Sequence, residues 1–467
     1  MVLQVVFHAF PILAVMLKPP TPNDNVEQIS SGPTFVNTDT TSSPQGLRLD
    51  TVSQQSGYLN VPSGNSLFYW YFESHNNPTN DPVLIWLNGG PGCSSLEAII
   101  FENGPANMDE HGSLTANSHS WNRFANMLYI DNPAGVGYSV AADFVSDTES
   151  ASADFSAALK EFYRRNPQLK NNKLHISGES YAGRYIPVFT EAINADESSP
   201  VKISSVMIGN GLVNAVAEYQ SYQPMLCGQG GRPSVLSDEE CEQMADTTPI
   251  CISAMQRCMN SLSRTECYLA RVQCNGLQAP LNGRNPYDIR DASCAQSRTG
   301  MCYPAMDNVQ DYFGQQRVQS VLGARTSGGQ YEVCNQRMNN AFYQTDDPFQ
   351  PTFHNVTNLL EQGTPVLAYH GDADIILNWL GGRQWTQALE WPGQSGFQAA
   401  GRAPRDWKPE GANGPKRGEV TNFEHLTFLR VADAGHMVPH DQPQSAAFMA
   451  EAWLRGDYAF DRVVWRT

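Results

Sequence analysis

Basic residues are scarce in this chain: 30 Lys and Arg stand against 47 Asp and Glu in 467 residues, a formal charge of −17. A nucleic-acid partner needs Lys and Arg to neutralise phosphates, so this balance argues against one and fits a soluble protein of an acidic or extracellular setting. Beyond the N-terminus no apolar run approaches the ~18 residues of a membrane span, and none is expected. No two cysteines are spaced C-x-x-C, which removes the usual zinc arrangement; neither metal nor cofactor is expected. Internal repeats are absent. With 41% hydrophobic and 16% charged residues, the composition is that of an ordinary globular protein and argues against extensive disorder.

The length allows one large α/β domain with an insertion, or two to three domains. Residues 1–17 are mostly apolar and stop at Lys18-Pro19-Pro20, which reads as a signal peptide. It is an irregular one, with no Lys or Arg at its start, Gln4 and His8 inside the apolar run and no clear small-x-small cleavage site; a bare apolar tail is the other reading. Residues 18–50, rich in Pro, Ser, Thr, Asn and Gly, read as a flexible arm or short pro-region. The ten cysteines are even in number and eight fall between Cys227 and Cys302, pointing to disulfides and an oxidising compartment, extracellular or vacuolar. The sequon Asn355-Val356-Thr357 permits one glycan.

From Asp50 onward strands and helices alternate. Strands are read at Ser66–Phe72, Pro82–Leu87, Asn126–Ile130, Leu174–Ile176, Ser205–Ile208, Pro365–Tyr369 and Leu426–Val431, with a helix near Ser150–Asn166. Continuous apolar strands separated by helices indicate a parallel sheet covered on both faces. Between Val213 and Tyr331 the alternation stops in a polar, cysteine-rich stretch, read as an inserted cap (213–331) on a core formed by 51–212 and 332–467. Such insertions commonly roof the active site. Gly393–Gly418 reads as a surface loop.

Gly178-Glu179-Ser180-Tyr181-Ala182-Gly183, after an apolar strand, reads as a nucleophile elbow: small residues permit a turn tight enough to lift the serine hydroxyl to the rim of the sheet. The match is loose, since Ala182 stands where the general pattern has Gly. Two further strand ends carry Gly371-Asp372-Ala373-Asp374 and Asp433-Ala434-Gly435-His436. Serine alone is a weak nucleophile; an imidazole must take its proton and a carboxylate must orient the imidazole. Ser, Asp, His in that chain order is the α/β-hydrolase order, with Asp372 and Asp374 both available. Asn88-Gly89-Gly90-Pro91-Gly92, after another strand, would let backbone N–H groups approach a reacting carbonyl. It suits a phosphate less well, because no Lys follows and Pro91 removes a donor.

Three segments together, Trp86–Ser95, Gly178–Gly183 and Gly435-His436-Met437-Val438-Pro439, resemble the signatures of the serine carboxypeptidases, and the resemblance runs from about Asp50 to the C-terminus. It implies an α/β-hydrolase fold and release of C-terminal amino acids from peptides through an acyl-enzyme. It implies Ser180 as nucleophile, His436 as base and Asp374, the second Asp of Gly-Asp-x-Asp, as orienting carboxylate. It also implies an oxyanion hole from the N–H groups of Gly90 and Tyr181, and a grip on the substrate's terminal carboxylate by Asn88, Gly89, Glu102 and Glu179. Two carboxyls can hold a third only by sharing protons, so the last two should have raised, coupled pKa values and an acidic optimum should follow. From position alone Glu102 would read as a solvated helix residue. Glu97 falls where members favouring C-terminal Lys or Arg carry an acid, although it could equally face solvent. Met437 is implied beside it, Tyr181 in the acyl-side pocket, and Leu377 where a relative has a free cysteine, so thiol reagents should have no effect.

The same resemblance pairs Cys93–Cys334, Cys227–Cys241, Cys251–Cys274, Cys258–Cys267 and Cys294–Cys302. Family members are often homodimers. An acyltransferase on the same scaffold, a non-catalytic protective scaffold and a general esterase are the competing readings.

Overall fold

The computed structural model describes residues 41–278, 281, 283–294, 296–325 and 330–461; the signal-peptide reading and most of the N-terminal arm lie outside them. Among the described residues there are twelve strands: β1 (Gln54–Asn60), β2 (Ser66–Phe72), β3 (Val83–Leu87), β4 (Ala106–Met108), β5 (Leu114–Ala116), β6 (Asn126–Ile130), β7 (Leu174–Ser180), β8 (Ile203–Gly211), β9 (Val366–Gly371), β10 (Arg405–Trp407), β11 (Gly418–Phe423) and β12 (Leu426–Val431). Ten form one sheet in the order β1-β2-β6-β3-β7-β8-β9-β12-β11-β10, and β4-β5 form a separate ribbon. From β6 to β12 every neighbouring pair is parallel, while β1-β2 and β11-β10 flank that block as antiparallel pairs. The apolar runs explain the centre: all five residues of β3 and all five of β6 are buried, as strands covered on both faces require.

Helices cover the two faces. α1 (Glu97–Phe101) follows β3. In α2 (Thr148–Arg165) the Asp147 side chain caps the first turn by accepting from Ser150 N, and Ala151, Phe155, Ala158, Leu159 and Phe162 form its buried stripe. α3 (Ala182–Ala195) leaves the elbow and is buried along most of its length. This is the α/β-hydrolase arrangement, with the parallel strands delivering their C-terminal ends to one rim.

The segment expected as a cap holds α4 (Ala215–Pro224), α5 (Asp238–Ser261) and α6 (Arg264–Gln278). α5 opens with a capping box between Ser237 and Glu240. All five expected disulfides are present. Two of them, Cys251–Cys274 and Cys258–Cys267, rivet α5 to α6, and each restricts the unfolded chain by ~2–4 kcal/mol.

Two segments differ from the sequence reading. Residues 41–50, grouped with the arm on composition, lie on the core: Ser42 and Ser56 exchange backbone hydrogen bonds, and Pro44–Leu47 make a 3-10 turn. Gly393–Gly418 is not a bare loop. It contains a helix, Gln394–Ala400, and edge strand β10, whose Trp407 is buried; burial of Phe397 and Trp407 outweighs the Gly and Pro content. Asn355, of the sequon, is half-buried at the start of a helix, and its amide nitrogen donates to Glu191 Oε2 at 2.7 Å, a bond that a glycan would displace.

Candidate active site

Ser180 ends β7 with φ +62°, a left-handed backbone that a serine adopts only under constraint from its surroundings. The constraint is packing. A Cβ on Gly178 would stand 2.1 Å from Leu87 O, and one on Gly89 2.3 Å from Tyr181 N and 2.7 Å from Ser180 Cβ. The loop after β3 therefore lies directly on the elbow, at a distance only glycine permits. Gly90 continues it at φ +106°.

His436 Nδ1 lies 2.8 Å from Asp374 Oδ2, with both side chains buried. Asp374 also accepts from Asn210 Nδ2 at 2.8 Å and from Ile376 N at 3.1 Å. Asn210 in turn accepts from Gly371 N at 3.0 Å, which locks its amide. Asp372 turns elsewhere, binding Arg232 Nη2 at 2.6 Å, Arg430 Nη2 at 3.3 Å and Asp433 N at 3.0 Å. Of the two acids, Asp374 is the one that faces His436. Ser180 and His436 line one cleft, together with Asn88, Gly89, Gly90, Glu97, Glu179, Tyr181, Leu377 and Met437.

Beside the cleft two carboxyls meet on one amide, and a third lies against them. Asn88 Nδ2 donates to Glu97 Oε1 at 2.7 Å and to Glu102 Oε1 at 3.3 Å, while Trp86 Nε1 holds Asn88 Oδ1 at 2.6 Å. Glu97, Glu102 and Glu179 are each exposed by only 1–2%, so neither Glu97 nor Glu102 is a solvated helix residue. Burial pushes Glu102 up to about 7, against hydrogen bonds from Glu179 and Asn88. Burial, then the charge of Glu102, lifts Glu179 well above the carboxyl range, and burial followed by Glu102 does the same to Glu97. Glu179 and Glu102 act directly on each other's ionisation, and two carboxyls so placed hold together only by sharing a proton. Glu97 Oε2 has no hydrogen-bond partner among the described residues.

Sequence reasoning missed several neighbours. Asn210 is the penultimate residue of β8, inside Gly209-Asn210-Gly211, a strand-end position that could have signalled it. Tyr181 OH donates to Asp347 Oδ2 at 2.5 Å, and Asp347 also accepts from Thr148 N, Thr148 Oγ1 and Arg184 Nε. Asp131, buried behind the glycine loop, takes the hydroxyl of Ser94 at 2.5 Å and Tyr138 N at 2.9 Å, and burial pushes it up to about 7. No local pattern marks Asp131 or Asp347. Among the described residues no group of His, Cys, Asp and Glu could hold a metal ion.

The family model for serine carboxypeptidases matches residues 44–456. Carboxypeptidase Y of Candida albicans is 44% identical over 424 residues, which cover 90% of this chain and 76% of that protein. Carboxypeptidase Y of Komagataella phaffii is 42% identical over 421 residues, 89% of this chain and 79% of that protein. Among solved structures, a prohormone-processing carboxypeptidase from Saccharomyces cerevisiae matches with a TM-score of 0.74 and 25% identity, over 88% of this chain and 92% of the other. On the matched length, the identities and the fold, the chain belongs to the serine carboxypeptidase family.

Proposed function

We propose that Ser180 attacks the carbonyl of a peptide's last amide bond while His436 takes its proton and Asp374 holds the imidazole in the productive tautomer. The tetrahedral oxyanion is stabilised by the N–H groups of Gly90 and Tyr181. The C–N bond then breaks, His436 returns the proton to the leaving amine, and water, activated by the same imidazole, hydrolyses the acyl-enzyme. The observation that carries this reading is the 2.8 Å contact of His436 Nδ1 with Asp374 at the same cleft as a serine in a left-handed elbow.

The exopeptidase character resides in Asn88, Gly89 N–H, Glu102 and Glu179. Protonated carboxyls and an amide donate to the substrate's terminal carboxylate, and no arginine is needed. Glu97 extends that cluster and, with Met437, faces the departing residue; Tyr181 and Leu377 line the acyl side. Retention of the full carboxyl cluster favours a peptidase over an acyltransferase or esterase, which would leave these buried acids without a task. The two core segments and the inserted cap at 213–331 serve as the working domain division. Five disulfides support delivery through the secretory pathway to the exterior or a vacuole; among the described residues no helix is long and apolar enough to cross a membrane.

The test is incubation with a blocked dipeptide such as Z-Phe-Leu at pH 5, before and after diisopropyl fluorophosphate. Free leucine should appear and the reagent should abolish its release; Ser180→Ala should release none. Release of leucine by Ser180→Ala at the native rate would overturn the assignment.

A further inference from the structure

Residues 285–290 of the inserted segment run across both loops that carry the acid and the base. Toward Asp374, Pro286 O accepts from Ile375 N at 3.2 Å and Ile376 N at 3.0 Å, and Ile289 N donates to Ala373 O at 2.8 Å. Toward His436, Tyr287 O accepts from His436 N at 2.9 Å, and the Tyr287 ring lies 5.2 Å from the imidazole, centroid to centroid. The contact is tight: a Cβ on Gly435 would stand 2.5 Å from Tyr287 O.

One side chain ties this strap down. Arg290 Nε donates to both oxygens of Asp288 at 2.8 and 3.0 Å, Nη1 to Asp433 O at 2.8 Å and Nη2 to Asp441 Oδ2 at 2.9 Å. Asp441 also accepts from Gly435 N at 2.5 Å. The guanidinium therefore bridges the strap, the loop before His436 and the helical turn after it. The backbone of Gly435 and His436 hangs on two acceptors, Asp441 Oδ2 and Tyr287 O, and Arg290 braces both.

We propose that Arg290 is a positioning residue for the hydrolysis: through Asp441 and the 285–290 strap it sets the His436 imidazole against Ser180, so that the inserted segment is part of the catalytic frame. The planar fork with its five N–H donors matches acceptors on three residues at once, which a lysine ammonium on a flexible stem cannot do. Displacing a reacting group by about 1 Å costs roughly 100-fold in rate, whereas Arg290 makes no hydrogen bond to Asn88, Glu102 or Glu179. The inference rests on the reading of Ser180, Asp374 and His436 given above.

The experiment compares native enzyme, Arg290→Ala and Arg290→Lys on Z-Phe-Leu at pH 5, with active-site titration by diisopropyl fluorophosphate and thermal melting. Arg290→Ala should lose roughly 10- to 100-fold in kcat at unchanged KM and unchanged titre of folded sites. Added guanidinium ion should recover part of the Arg290→Ala loss and leave native enzyme unaffected. Arg290→Lys should remain impaired, and serves as the decisive variant if Arg290→Ala does not fold. Native kcat in Arg290→Lys, or a loss in Arg290→Ala matched by the loss of titratable sites, overturns the proposal. Absence of leucine release from the native enzyme would instead defeat the reading of the site, and this inference with it.

Discussion

The carboxyl cluster makes a quantitative statement about pH. A substrate carboxylate can sit against Glu102 and Glu179 only while protons are available between them. Burial holds Glu102 up to about 7 and Glu179 above the carboxyl range, so the grip is intact at pH 5. It fails as pH rises through the raised values, because the acid form is the competent one. One pH unit beyond a pKa of about 7, roughly one site in eleven remains protonated, and kcat/KM for a peptide should fall about tenfold, or about 1.4 kcal/mol. A C-terminal amide carries no charge to repel and is indifferent to that ionisation. The assay is kcat/KM for Z-Phe-Leu and Z-Phe-Leu-amide from pH 4 to 8, plotted as their ratio. The ratio should be flat at acid pH and drop tenfold near pH 8. In Glu102→Gln the neutral amide donates at every pH, so the drop should vanish. A constant ratio across the range in the native enzyme would refute the shared-proton grip and assign any common decline to the reacting groups.

Asp374→Asn should lower kcat by roughly 10⁴-fold through loss of the correct imidazole tautomer, while Asp372→Asn, whose carboxylate faces Arg232 and Arg430, should retain most activity; steady-state kinetics on both variants would expose a reversed assignment. Gly89→Ala places a methyl 2.3 Å from Tyr181 N and should reduce kcat roughly 100-fold or more by moving an oxyanion donor, with folding checked by circular dichroism. Burial keeps Glu97 protonated in the free enzyme, but the guanidinium of a bound C-terminal Arg favours its ionised form, so Glu97→Gln should lower kcat/KM for a Phe-Arg end roughly tenfold relative to a Phe-Leu end, the worth of one buried hydrogen bond to a charged group; an unchanged preference would remove Glu97 from the pocket. Stability should fall as pH rises from 5 to 8. Asp131 and Glu102 bind their protons more tightly folded, at about 7, than unfolded, so their contribution is complete below the ordinary carboxyl range and is lost as pH climbs through the folded values. A melting temperature that rises toward pH 8 would contradict that sign.

What the sequence discloses here is whatever the backbone itself demands. β6 and β12 have the bounds that the sequence suggests, because residues 127–130 and the apolar majority of Leu426–Val431 have no stable place except in a covered sheet. Ser180, Asp374 and His436 are legible because each follows such a run and sits beside glycines that only a tight approach explains. Gly393–Gly418 shows the complementary case: composition there advertises turns, while burial of Phe397 and Trp407 decides the structure.

The residues that no local pattern reveals are those whose role depends on burial, Glu97 being visible only through the family resemblance. Asp131, Asp347 and Glu97 are acids like any others in the chain until the fold removes water from them; then Asp131 braces the glycine loop, Asp347 anchors Tyr181, and Glu97 joins Glu102 on Asn88. Desolvation is also what gives this cluster its chemistry, since the same three carboxyls at the surface would ionise near their ordinary values and repel a fourth. An enzyme that recognises a carboxylate with carboxyls must therefore build its recognition site in the core, and it inherits an acid-favouring stability from the same groups. Activity on free C-termini and resistance to unfolding then decline over the same pH range, because both draw on protons that only a buried acid retains.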